Sequence, residues 1–128
     1  MTVLVLDRGA VTKLAKRTLQ NSAYLATLLR DGAWPPDVPS VVLTESLTGR
    51  PGPDANANRL LATCNIVTKV PEATARSAAR LRFLARRGSA VDAIVVALAE
   101  PSGTVLTGDP EDLLALAAHS AGVTIAAI

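Results

Sequence analysis

The spacing of its short β-type runs constrains this chain most. VLVL (3–6), NIVTKV (65–70), GTVLTG (103–108) and GVTIAAI (122–128) are rich in aliphatic or β-branched residues and have the length of strands. Between them, apolar residues recur with helical spacing over 11–19, 22–31, 40–49, 55–64, 71–87, 90–100 and 111–120. Strands joined by helices pair in parallel, and a sheet built from continuous apolar runs is covered on both faces. The pattern predicts an α/β fold, a three-layer α/β/α sandwich with a mostly parallel central sheet. WPPDVPS (34–40) and GRPGPDA (49–55) have the proline and glycine of loops, and neither is long enough to separate domains. The 128 residues, 49% of them apolar, suit one core, so 1–128 reads as a single domain.

Several functions are disfavoured at once. No apolar run approaches a membrane span, and MTVLVLDRG lacks the basic start and longer apolar stretch of a secretory leader, so the expectation is a cytoplasmic protein with no membrane partner. Cys64 is the only cysteine, which leaves no internal disulfide and no zinc motif. His119 is the only histidine and sits near an expected helix end, which argues against a Ser-His-Asp triad. One Trp, one Tyr and one Phe provide no ladder for stacking bases.

The acids are more informative. Asp7 directly follows the first strand and Asp109 the strand at 103–108, and functional groups of a parallel sheet gather beyond its carboxyl edge. Asp92 enters AVDAIVVALAE (90–100), a helix apolar nearly all round; Ser89 three residues earlier offers a capping box as the plainer explanation. Glu45 is the one acid of SVVLTESLTG (40–49). In TGDPED, Asp109 is expected to cap a helix that begins at Pro110, with Glu111 on the surface. Four acids from distant, apolar elements converging on one pocket would repel unless cations sat among them. Oxygen ligands without His or Cys select Mg²⁺ or Mn²⁺. Such ions orient and deprotonate water and stabilise the charge of phosphodiester cleavage, which would need no histidine base.

With those acids committed to cations, the remaining surface is strongly basic, as suits a phosphate polymer. At helical spacing Arg76, Arg80 and Arg87 form one stripe of 71–87, with Arg82 and Arg86 beside it and Phe83 among them, while Ala78, Leu81, Leu84 and Ala85 face away. The stripe is expected to hold RNA phosphates; a merely solvated helix face is the competing explanation.

Taken in order, VLVLDRGAV, VVLTES, SAVDAIVVALAE and VLTGDPEDLLAL resemble PIN-domain ribonucleases, in particular the small VapC toxins of bacterial toxin–antitoxin pairs. The likeness spans essentially the whole chain. S-x-x-D-A followed by a strand and T-x-D-P-x-D-L is its most specific part. The resemblance implies a Mg²⁺- or Mn²⁺-dependent endoribonuclease with Asp7, Glu45, Asp92 and Asp109 as catalytic and metal-binding acids. It further implies Asp112 as an accessory ligand, Thr107 as a supporting hydroxyl, a VapB-like antitoxin as partner, and a homodimer. Two positions depart from the family pattern: Arg8 and Gly9 follow the first acid where a small hydroxyl residue is common, and Gly108 replaces a frequent Ser. Arg8 would either contact substrate phosphate or compete with metal.

A PIN-fold module that binds RNA or protein with little catalysis is the alternative, kept open by Arg8 and opposed by the presence of all four acids. A phosphoacceptor domain fits poorly, because it needs an acidic pair at the first strand and a Lys after the last.

Overall fold

The computed structural model describes residues 3–128. Its elements in chain order are β1 (Leu4–Leu6), α1 (Arg8–Leu14), α2 (Leu19–Arg30), β2 (Asp37–Pro39), α3 (Ser40–Ser46) and α4 (Pro51–Leu61). There follow β3 (Asn65–Val67), α5 (Glu72–Ala85), α6 (Ala90–Ala99), β4 (Thr104–Thr107), α7 (Glu111–Ala117) and β5 (Thr124–Ala127). The five strands pair in parallel throughout, in the order β3-β2-β1-β4-β5. This is the expected α/β/α sandwich. From the central β1 the chain works outward to β3, crosses back to β4 beside β1, and continues outward to β5. The two directions part between β1 and β4, and such a switch point leaves a crevice at the carboxyl ends of the diverging strands.

α1 packs with α3 and α4; α5, α6 and α7 pack with one another, α6 lying against β1 and β4. Val5, Leu6, Val105 and Leu106 are buried between these layers, and α6 adds Ala93, Val95, Val96 and Ala99. The all-round apolar character of α6 thus has a cause: it is sandwiched between the sheet and α5 and α7. Burying one such Leu or Val stabilises the fold by roughly 1.5–3 kcal/mol, so these short strands hold mainly through their side chains. Among the described residues no helix is long and apolar enough to cross a membrane.

Three local expectations need correction. β2 lies inside WPPDVPS, a stretch whose three prolines read as loop. Only three residues are required of it, and Pro39 stands where the strand ends and α3 begins. α4 likewise starts at Pro51, within GRPGPDA, with proline at the first helical position where its missing N–H costs nothing. α1 begins at Arg8 rather than near residue 11, because the Asp7 side chain caps it by accepting from the Ala10 N–H at 2.8 Å.

Candidate active site

Asp7 links the sheet to the site. The residue is buried, 8% exposed, and each carboxylate oxygen accepts one hydrogen bond: Oδ1 from the Ala10 N–H and Oδ2 from the Thr107 hydroxyl at 2.6 Å. Parallel pairing of Leu6 with Leu106 brings Asp7 and Thr107 alongside at the carboxyl ends of β1 and β4. Thr107 is fully buried; its oxygen also accepts from the Asp109 N–H at 3.0 Å, fixing the turn that carries the last acid. Thr107, which the resemblance offers as a supporting hydroxyl, joins Asp7 to the loop of Asp109 through that one oxygen.

Burial pushes the Asp7 carboxyl above its ordinary pKa; bonds from Thr107 and Ala10 pull it back, the nearby Asp92 charge raises it and Arg8 lowers it. Asp92 is held by the capping box that the sequence suggested. Its Oδ2 accepts from the Ser89 N–H at 3.1 Å while its own N–H donates to the Ser89 hydroxyl at 3.0 Å. Asp92 thus caps α6 and also lines the cavity described next.

Asp7, Glu45, Asp92, Asp109 and Asp112 line one cavity of about 210 Å³, together with Arg8 and Ser89. Residues from α1, α3, α6 and α7 thus meet at the switch point with Asp7, which follows β1, and Asp109, which follows β4. Among the described residues, the Glu45 and Asp109 carboxylates accept no hydrogen bond, which leaves their oxygens available. No three of the acidic, His or Cys side chains among the described residues stand together as a ready-made metal cage. The donor set is all oxygen and distributed around a small cavity. It fits an ion such as Mg²⁺, which keeps several waters and takes one or two carboxylates directly. An apolar groove of about 480 Å³ bounded by α2, with Leu25, Leu29, Trp34 and Leu60 in its walls, holds no carboxylate and offers no such chemistry.

The remaining candidates are placed differently from expectation. Asp109 does not cap α7: Pro110 occupies the N-cap position without a side-chain bond, and the Asp109 main chain is occupied with Thr107. Asp112 lines the cavity, but its Oδ1 accepts from Arg87 Nε at 2.7 Å, so it is partly committed to that cation; Glu111 accepts from the same guanidinium at 2.9 Å. Arg87 accordingly leaves the expected stripe. α5 stops at Ala85, Arg86 turns left-handed at φ 56°, and Arg87 is directed onto α7. Arg76 is paired with Glu72 one turn away, while Arg80 and Arg82 are exposed and, among the described residues, make no ion pair. Ala78 and Leu81 do face the core, whereas Leu84 is 38% and Phe83 72% exposed.

Sequence patterns alone do not single out Asp54, which is buried, or Lys13 and Lys16 in and just after α1. Asp54 accepts from the Thr48 N–H and hydroxyl and the Gly49 N–H, tying the α3–α4 turn to α4. The signal for α1 is an acid directly before a helix, readable as an N-cap.

No protein-family model matches this chain, and no curated protein matches it either. The crystal structure of PAE2754 from Pyrobaculum aerophilum is similar in fold, with a TM-score of 0.64 at 15% identity over 97% of this chain and 90% of that one. At that identity the likeness extends to the fold alone.

Proposed function

We propose that the protein is a metal-dependent endoribonuclease of the PIN-domain class, of the VapC toxin type. The observation that carries this reading is the single cavity at the β1–β4 switch point lined by Asp7, Glu45, Asp92 and Asp109. These four would hold Mg²⁺ or Mn²⁺, with Asp112 as an outer contributor tethered by Arg87. The ion, when bound, supplies a more acidic water and stabilisation of charge on the phosphodiester. In the net reaction a water oxygen joins phosphorus, one bridging P–O bond breaks, and the departing oxygen gains a proton.

The chain's own residues orient this chemistry. Thr107 and the Ala10 N–H fix both oxygens of Asp7, and Ser89 fixes Asp92. Arg8, exposed at the cavity mouth, meets the incoming phosphate. An antitoxin and a second copy of the chain belong to the same reading by resemblance. A PIN-fold binding module with weak catalysis is the second reading; Arg8 in the cavity wall and the Arg87–Asp112 pair favour it.

The test is cleavage of a structured RNA pool by the purified protein with Mg²⁺ or Mn²⁺, with chelator, and with Asp92→Asn. Cleavage that requires the cation and disappears in the variant is expected. Cleavage that survives chelator or the substitution overturns the metal-nuclease reading, and RNA binding without cleavage replaces it with the binding module.

A further inference from the structure

A second cavity adjoins the acidic one. An open groove of about 490 Å³ is lined by Arg8, Gly9, Thr12, Lys13, Lys16, Gly108 and Asp109, and it shares Arg8, Gly9 and Asp109 with the acidic cavity. The two are therefore neighbours across the backbone of Gly9. Their chemistry is opposite: carboxylates dominate one, and three cations with a hydroxyl line the other.

Gly9 and Gly108 explain why the passage is open. A Cβ on Gly9 would lie 2.8 Å from the Gly108 nitrogen, and one on Gly108 would lie 3.2 Å from the Gly9 oxygen. The first turn of α1 and the loop after β4 touch through bare backbone at Gly9 and Gly108, so neither of these positions sets a side chain between the groove and the acids. Gly108 and Arg8, which adjoins Gly9, are the two positions at which the sequence departs from the PIN pattern.

The cations are arranged along the groove. Arg8 and Thr12 stand one turn apart on the exposed side of α1, and Lys16 follows in the turn that ends it. That turn is braced by the Asn21 amide, which donates to the Lys13 and Lys16 carbonyls at 2.9 and 2.7 Å. Lys13 Nζ donates to the Ile128 main-chain oxygen. Among the described residues neither Arg8 nor Lys16 makes an ion pair, nor do Arg80 and Arg82 of α5, whereas Arg76 and Arg87 pair with carboxylates.

We infer that one RNA strand lies along α1, its phosphates over Lys16, Thr12 and Arg8, and crosses the Gly9–Gly108 saddle to deliver the scissile phosphate to the acidic cavity. The polymer's identity rests on the nuclease reading; the track rests on the groove. Lys16 and Thr12 are binding and positioning residues, and the α5 stripe is secondary. A cavity of about 210 Å³ has room for a single phosphodiester and its ions, which favours one strand over a duplex.

The test is binding of a short fluorescent single-stranded RNA of mixed sequence, by anisotropy in chelator over a salt series, so that cleavage plays no part. Lys16→Glu, with an unchanged melting curve, is expected to lose roughly tenfold in affinity at low salt and to flatten the log–log salt slope by about 0.7 for each phosphate no longer neutralised. Thr12→Glu weakens binding similarly, while Lys69→Glu, the same charge change beside the β3 edge, leaves it unaltered. Wild-type affinity in Lys16→Glu and Thr12→Glu, or a loss confined to Arg80→Glu, overturns the track, as does a wild-type protein that binds no RNA. Salt-sensitive binding that disappears in Lys16→Glu without metal-dependent cleavage retains the track and removes the nuclease reading.

Discussion

Asp7 and Asp54 are both buried carboxylates, 8% and 5% exposed, and their surroundings have opposite effects. Asp54 accepts from the Thr48 N–H first, then from the Thr48 hydroxyl and the Gly49 N–H, and its pKa lies below the ordinary aspartate value. Asp7 also accepts two bonds, yet burial outweighs them, Asp92 adds a like charge, and its pKa lies above the ordinary value. One acid is satisfied and closes a turn. The other has its ionised form disfavoured by burial, at the edge of a cavity lined by further acids. A fold does not keep the second arrangement for stability, which makes the cavity rather than the Asp54 clamp the place to look for function.

The sharpest way to break this comparison is to neutralise each acid. Asp7→Asn is expected to lower metal-dependent RNA cleavage by ~100-fold or more while the protein stays folded. Asp54→Asn is expected to lower the melting temperature by several degrees while cleavage per folded molecule is retained. Equal activity losses at matched folded fraction would remove the distinction.

The two acids also predict opposite pH dependences. Asp54, with its depressed pKa, contributes stability that is present above the ordinary aspartate pKa and lost as pH falls through the folded value. Asp7, with its raised pKa, contributes stability that is present below the ordinary value and lost as pH rises through the folded one. Denaturation from about pH 3 to pH 8 should therefore show Asp7→Asn gaining on the wild type as pH rises, and Asp54→Asn falling behind it. Parallel curves would show that the two environments do not differ.

The smallest expected effect sharpens the comparison further. At roughly ten times its Kd, Mg²⁺ or Mn²⁺ should stabilise the wild type by about 1.4 kcal/mol. Thermal melts should show the gain reduced in Asp7→Asn and retained in Asp54→Asn.

The frame is legible in the sequence because β1, β3, β4 and β5 announce themselves as apolar runs, and because an acid directly after a parallel strand emerges at the carboxyl edge. Asp7 and Asp109 can be placed by that rule, and Asp92 by its isolation in an apolar helix. β2 is illegible: its prolines mask a strand so short that its neighbours alone create it. The fate of Arg87 depends on where α5 ends, and Gly88, at φ 91°, is the available stop signal. The basic groove is hidden because a first helix expected to begin near residue 11 leaves Arg8 in a loop. Once Asp7 caps α1, Arg8 and Thr12 fall on one side of a helix, and only tertiary contact between Gly9 and Gly108 reveals what that side adjoins.

The Thr107–Asp7 hydrogen bond joins residues 100 positions apart in the chain. During synthesis β1 emerges early and stays without its β4 neighbour until the chain has reached residue 107. Closing so long a loop delays the central pairing, and parallel sheets are slow to form for that reason. The first acid is therefore made almost at the outset and is set in position only after nearly everything between has been translated. Until then the growing chain carries Asp7, Glu45 and Asp92 without the cavity they line, which β4, the loop after it and α7 complete.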